Sequence, residues 1–552
     1  MTTTAQDVAP AAQAAPSATP SLLAGGKPAV VVSFTGVEEL IQNITYLTEA
    51  TGNAQAGGMF AMMAGAMTNG VDTSRPLGVV VSIVDEQPVP VAIVPTNNVR
   101  QILAMLEGQL GPADELSDGT LAIFVGQTEV YIRQVGDWAF VAQSPDVLKS
   151  MPEDPLPTLS GLYKTYDVAV RLDVQNIPGP LRDMFMAQIR QGFEATMQQQ
   201  AAAGVDVEEA RKASAAQMKA LEDAIKDTAL VQIGLDVDPE SQNVSIDLVS
   251  TAVEGSDLAL MSDESKPAPS KFSAVVRDDV AAFFHASQVV GEKAIQQQQA
   301  QLDGATDLIV NSVKQQGNVG DEEMEEIKAM IQRLMGMIGE TAKEGRIDGG
   351  LMVATGDNKL RVVGGFAVAD GKEAAKFVQD IAAKMENDPE APNFEFNQST
   401  YNGVTMHSMS KEVPADKEEA RRMFGEAIDV KIGTAEKAVY VSMGPGSVEL
   451  MKALIDSADS DDFDPQRPLV QVNVSMQPIL KFAESIQPND MNLAMLSALA
   501  NAADKDNISM IVRQIPQGSS IRLTVEEGVM RAMGAVAAEA QRLQLEQRQG
   551  GF

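Results

Sequence analysis

Chemistry in this chain would have to begin from two histidines, His285 and His407, and no cysteine at all. Neither histidine has a His or Cys neighbour at ligand spacing. Zinc needs three or four such ligands, and a catalytic imidazole needs a nucleophile and an orienting acid. Both therefore read as structural, and His407 alternates with Thr405 and Met409 along a candidate strand. Ser408-Met409-Ser410-Lys411 matches Ser-x-x-Lys but lacks the companion motifs of serine–lysine enzymes. Gly444-Pro445-Gly446 precedes a helix without the third glycine and the lysine of a phosphate loop, and no Gly-x-Ser-x-Gly elbow occurs. The expectation is a chain without catalytic residues and without a cofactor.

Two clusters remain. Asp456, Asp459, Asp461, Asp462 and Asp464 are the densest carboxylates. Calcium favours several convergent oxygens, so Asp459, Asp461, Asp462 and Asp464 form a weak calcium candidate. The Gly and terminal Glu of an EF-hand loop are missing, and an acidic solvated linker explains the run equally simply. Methionine is the less ordinary feature, 29 in all, against 4% aromatics. It gathers at Met59, Met62, Met63 and Met67; at Met184, Met186 and Met197; at Met324, Met330, Met335 and Met337; and at Met491 and Met495. Thioethers could hold copper(I), though no His or Cys supports such a site. They could instead form adaptable surfaces for apolar partners, line a lipid groove, or fill cores poor in aromatics. Gly57–Gly70, uncharged and bounded by glycine, is the stretch that most suggests a docking helix, which makes Met59, Met62, Met63 and Met67 the candidate contact residues for an apolar ligand or partner.

The elements that position these groups follow from periodicity. Ala139–Pro145 is echoed by Val439–Pro445, and both stretches are expected to run into apolar helices ending at Met151 and Met451. A repeat at that distance implies a duplicated domain. Four segments read as a strand feeding a helix: Val30–Phe34, Val168–Leu172, Phe272–Val276 (before a helix at Val280–Phe283) and Val470–Val474. Each leads to a hairpin, at Leu77–Val94, Ala229–Val249, Gly350–Val368 and Ile508–Val525, with turn residues Asp85-Glu86-Gln87-Pro88, Asp238-Pro239-Glu240, Gly356-Asp357-Asn358 and Pro516-Gln517-Gly518. Extra β sections are expected at Leu121–Gln143 and Phe394–Met443.

The fold class is α+β: two tandem duplicated domains, 28–258 and 270–548, joined by a linker at 259–269, each with antiparallel or mixed sheets packed on long helices. Residues 1–27, rich in Ala, Thr and Pro, are expected to be disordered. Their start, Met1-Thr2-Thr3-Thr4-Ala5-Gln6-Asp7, is similar to the cleavage region of a secretory signal, so an extracytoplasmic protein is expected, with a cytoplasmic one as the alternative.

The strand-into-helix units, with Gly136–Ser144 and Ala438–Ser442, resemble poorly characterised exported bacterial proteins of the planctomycete type, built from tandem α+β domains. The resemblance implies a non-enzymatic extracytoplasmic role and carries over no catalytic residue. A net charge of −34 opposes binding to nucleic acid or to acidic bilayers. No window has 18 uninterrupted apolar residues, so no transmembrane segment is expected. Function is therefore expected to be non-enzymatic binding or structural work, presenting sheets and Met-rich helices to a protein or apolar ligand. A periplasmic lipid or lipoprotein carrier, or chaperone-like module, is the alternative and a hydrolase the third reading. Composition gives no oligomeric state.

Overall fold

The computed structural model describes residues 18–202, 218–219, 221–296, 321–385, 391–458, 463–500, 502 and 505–549. The chain divides into two compact units, residues 1–259 with 515–522, and residues 260–514 with 523–552. Both are α+β.

The first unit contains β1 (Lys27–Phe34), α1 (Val37–Ala50), α2 (Ala54–Met67), β2 (Leu77–Val84), β3 (Gln87–Pro95), α3 (Val99–Leu110), β4 (Asp114–Glu115), β5 (Leu121–Val125), β6 (Thr128–Val135), β7 (Trp138–Ala142), β8 (Val168–Asp173), α4 (Gly179–Ala202), β9 (Thr228–Asp238) and β10 (Asn243–Ala252). Helix α5 (Asp257–Glu264) follows. Its strands lie in the order β4-β5-β6-β7-β3-β2-β1-β8-β9-β10, every pair antiparallel. Val31, Val80, Ile93, Trp138, Phe140, Leu148 and Leu159 fill its main core.

The second unit runs β11 (Ala282–Val289), α6 (Asp321–Lys343), β12 (Arg346–Ala354), β13 (Arg361–Ala367), α7 (Gly371–Met385), β14 (Asn393–Tyr401), β15 (Val404–Glu412), α8 (Glu418–Phe424), β16 (Ala427–Thr434), β17 (Ala438–Met443), α9 (Ser447–Ser457), β18 (Val470–Ser475), α10 (Met476–Ile486), α11 (Asp490–Leu499), β19 (Asn507–Ile515), β20 (Gly518–Glu526) and α12 (Glu527–Gln549). The order is β14-β15-β16-β17-β13-β12-β11-β18-β19, with β20, whose residues 518–522 count with the first unit, completing the last hairpin.

The two orders are the same, strand for strand. Registers agree as well: Val91 faces Ala142 and Ile93 faces Phe140, while Val363 faces Ser442 and Gly365 faces Tyr440. Backbone bonds recur at the counterpart positions. Thr35 N–H donates to Asp167 O (2.9 Å) as Ser287 N–H does to Leu469 O (3.1 Å); Thr96 N–H donates to Asp137 O (2.9 Å) as Val368 N–H does to Lys437 O (3.1 Å). Phe140 and Tyr440 sit in equivalent cores, as do Met151 and Met451.

Several sequence readings need correction. Phe272–Val276 is not a strand, because Ser273–Val275 forms a 3₁₀ turn that plugs Phe272 and Val275 into the core. The strand is the next segment, Ala282–Val289, where a helix was expected at Val280–Phe283. Apolar residues three apart suit a tight turn as well as a pleat, and the alternation misled by one element. The counterpart of that turn in the first unit is Leu22-Leu23, two residues of the segment read as a disordered tail that are buried in the core. The helix expected to end at Met151 is only a 3₁₀ turn, Val147–Ser150, whereas Met451 lies mid-way along α9. The Phe394–Met443 section divides into β14, β15, β16 and β17. In the segment read as a linker, Pro267 bridges to Gln288, and Ala268 and Ser270 are buried. No described helix is long and apolar enough to cross a membrane.

Candidate functional site

The alternation of β12 splits it between two environments. Asp348, Gly350 and Met352 face the buried side, where Met352 joins Phe272, Val275, Tyr440 and Met451 in the core. Ile347 and Gly349 face the other way, beneath α6 and α7. Those two helices do not close on the sheet. Between them and it lies a cavity of about 860 Å³ with a predominantly apolar lining. Leu334, Met337 and Ile338 reach it from α6, Ala374, Phe377 and Val378 from α7. Its floor includes Phe366, Ile432 and Val439. Both helices present an apolar stripe at 3.6-residue spacing, which is why each lies along the sheet at all.

The first unit shows what this surface looks like when filled. There Val99 and Leu103 of α3 pack with Leu121, Ile123, Ile132 and Ala139 into a small closed core. Ile132 and Ala139 are the register counterparts of Ile432 and Val439. Counting on from Val91 and Val363, the positions of Ile102 and Leu103 are taken by Ala374 and Ala375. Both helices start alike: Asn98 Oδ1 accepts from Gln101 N–H (3.2 Å), and Asp370 Oδ1 from Lys372 N–H (2.8 Å). The start of α7 lies close to the 434–437 turn, since a Cβ on Gly371 would fall 1.7 Å from Ala435 O. Replacing large apolar side chains by alanine leaves space that surrounding structure refills only in part.

Polar groups at the cavity are few. Arg333 Nε and Nη2 donate to Glu373 Oε1 (2.9 and 2.6 Å), Nη1 donates to Asp380 Oδ2 (2.5 Å), and the guanidinium lies 5.4 Å from the Phe377 ring centre. These carboxylates raise its pKa further. Thr341 Oγ1 donates to Met337 O and accepts from Ala369 N–H. Thr434 contacts His407, whose Nε2 is 3.0 Å from Thr434 Oγ1 while Nδ1 accepts from Asn397 N–H. A nitrogen that accepts is unprotonated, so His407 is neutral, and burial lowers its pKa.

His285 has an unforeseen setting. Its Nε2 lies 2.9 Å from Ser270 Oγ, and Ser270 Oγ donates to Asp348 Oδ1 at 2.6 Å. All three residues are buried. The order differs from a hydrolytic triad, in which the acid orients the imidazole and the imidazole takes the serine proton. Here the acid holds the serine proton directly, so the imidazole donates to the hydroxyl. With Phe272 N–H on Ser270 Oγ and Lys271 N–H on Asp348 Oδ2, the trio fixes the segment entering the core. Nothing near His285 in sequence announces Ser270 and Asp348; strand pairing assembles them.

The first unit has its own buried polar cluster. Asp247 accepts from Tyr166 Oη (3.0 Å) and from Arg522 Nε and Nη2 (2.7 and 2.6 Å). Asp167 accepts from Asn43 Nδ2 and Val237 N–H, both at 2.7 Å. Burial, then the charges of Asp167 and Asp238, push the Asp236 carboxyl up to about 6.

The sequence candidates are scattered. Met59, Met62, Met63 and Met67 recur along one face of α2, each 59–73% exposed. They are not core. α2 meets α1 through Gly57, where a Cβ would lie 2.1 Å from Thr48 Oγ1. Met186 and Met324 are buried, Met184 is exposed, and Met337 alone of the singled-out methionines lines the cavity. The Met197 side chain lies outside the described residues. Of the calcium candidates, Asp459, Asp461 and Asp462 lie outside them too; Asp464 Oδ1 accepts from Gln466 N–H (2.8 Å). Among the described residues no group of three His, Asp or Glu could hold a metal. Ser408 and Lys411 stand three apart on β15 and so point to opposite faces, which rules out their acting as a pair. Gly444 and Gly446, both at positive φ, make the turn into α9.

No family model, no curated protein and no solved structure matches the chain.

Proposed function

We propose that the protein is a non-enzymatic binding module whose second unit takes an apolar chain between α6, α7 and the sheet. The observation that carries this is the cavity of about 860 Å³ at a surface the first unit closes with Val99 and Leu103. Its size lies in the usual range of ligand pockets, ~300–1,000 Å³, and its lining is apolar with a few placed polar groups. Binding is by burial: each methylene withdrawn from water contributes ~0.8 kcal/mol, about a fourfold gain in affinity. A calorimetric series of alkyl chains tests it. Affinity should rise about fourfold per carbon and then level off once the cavity is filled. A flat series would sink the reading.

The matching strand orders and registers support descent of the two units from one duplicated ancestor. In this reading the first unit is the filled, structural copy and the second the binding copy. The exposed methionines of α2 favour a second use of the chain, as a docking face for a protein partner. Met62→Lys would abolish such docking and leave alkyl-chain binding intact.

A further inference from the structure

Building on the cavity reading, we infer that the occupant is a single-chain amphiphile with a cationic head group. Size argues against a helical peptide: an α-helix ~10 Å across and ~18 Å long occupies ~1,400 Å³, well above the cavity's 860 Å³. One extended alkyl chain fits such a space.

Charge argues for the head group. Glu340, Asp370 and Glu373 line the cavity against Arg333, while Asp348 is turned to the buried side of β12, where Arg346 pairs with it. The Arg333 guanidinium is already ion-paired with Glu373 and Asp380. A carboxylate or phosphate head would have to displace the Arg333 bonds and enter a net acidic rim, on a chain of net charge −34. An ammonium head can share carboxylates that are already paired, because a carboxylate has about four acceptor sites. It meets Glu340, largely exposed and ion-paired with Lys343 one turn on, and the outer edge of Glu373. Screening by salt should weaken this preference, because the rim is open to solvent.

The test uses the full chain with ¹³C-methyl methionine, titrated with dodecyltrimethylammonium, dodecyl maltoside and dodecanoate, each below its micelle concentration. The Met337 methyl reports the cavity and the Met62 methyl reports surface binding. The expected result is Met337 shifts with all three, the cation binding about tenfold tighter than dodecanoate, and the gap narrowing at about 0.5 M salt. Glu340→Gln with Glu373→Gln should cut the gap to under about threefold. If that pair impairs folding, Glu340→Gln alone, on an exposed side chain, should narrow it in the same direction. Equal affinities, or tighter dodecanoate, would overturn the head-group assignment and leave the cavity reading standing. Met337 silent to all three ligands would overturn both.

Discussion

Helix Val99–Leu110 seals a small core against its sheet, and helix Gly371–Met385 leaves a cavity beside its own. The strands beneath them have the same order and the same register. The helices begin with the same kind of side-chain cap. One difference lies in side-chain volume: Ala374, which lines the cavity, stands at the position of Ile102, and Ala375 at that of Leu103. Backbone architecture therefore leaves the choice between solid core and cavity to a handful of positions. Packing near crystal density makes each such position count.

The comparison can be broken first at the cores. Phe140→Ala and Tyr440→Ala remove fully buried rings at counterpart positions. Each should cost ~3–5 kcal/mol in chemical denaturation. A large inequality would mean that the two cores are not equivalent. Next comes Leu103→Ala, expected to cost ~2–5 kcal/mol and to open in the first unit a space like that of the second. Ala374→Leu should do the converse. It should cost under ~1 kcal/mol, because it enters empty space rather than packed atoms, and it should weaken alkyl-chain binding. A cost of several kcal/mol would show that the cavity has no room.

A smaller effect separates the units by pH. The Asp236 carboxyl, half-buried beside Asp167, Asp238, Asp247 and Arg522, is held at about 6 in the folded state. Its unfolded value is ~3.9. The folded form thus holds the proton more tightly, and the contribution is full below about pH 4 and lost as pH rises through about 6. Discounted for partial solvent exposure, the loss is ~1–2 kcal/mol. Asp236→Asn should flatten the decline measured by denaturation between those pH values; an unchanged slope would assign it to other groups. Smallest of all, Met62→Lys, on a side chain 73% exposed, should shift stability by no more than ~0.5 kcal/mol. A larger loss would show that the α2 methionines are packed.

Much of the fold was legible because pleated alternation and turn residues are local signals. All four hairpins lie where periodicity puts them. The entry to each unit was not legible: Leu22-Leu23 looked like part of a polar tail, and Phe272–Val276 looked like a strand. Their burial depends on partners far along the chain. Gly365 illustrates the point, since a Cβ there would sit 2.5 Å from the Phe272 ring, so Phe272 takes the room that Ile93 occupies in the first unit. The site was less legible still. Methionine content pointed to α2, whereas the cavity lies under α6 and α7, where a small residue such as Ala374 leaves no motif. The trio Ser270, His285 and Asp348 likewise exists only after strand pairing.

The central claim is that the second unit keeps open a cavity for an apolar chain. Methyl spectra of ¹³C-methionine protein during addition of dodecyl maltoside test it most directly, with Met451 of the sealed core as an internal control. The account expects saturable shifts at Met337, no change at Met451 or Met62, and loss of the response in Ala374→Phe. A still Met337 while Met62 shifts would contradict it, and would move binding from the cavity to the exposed face of α2.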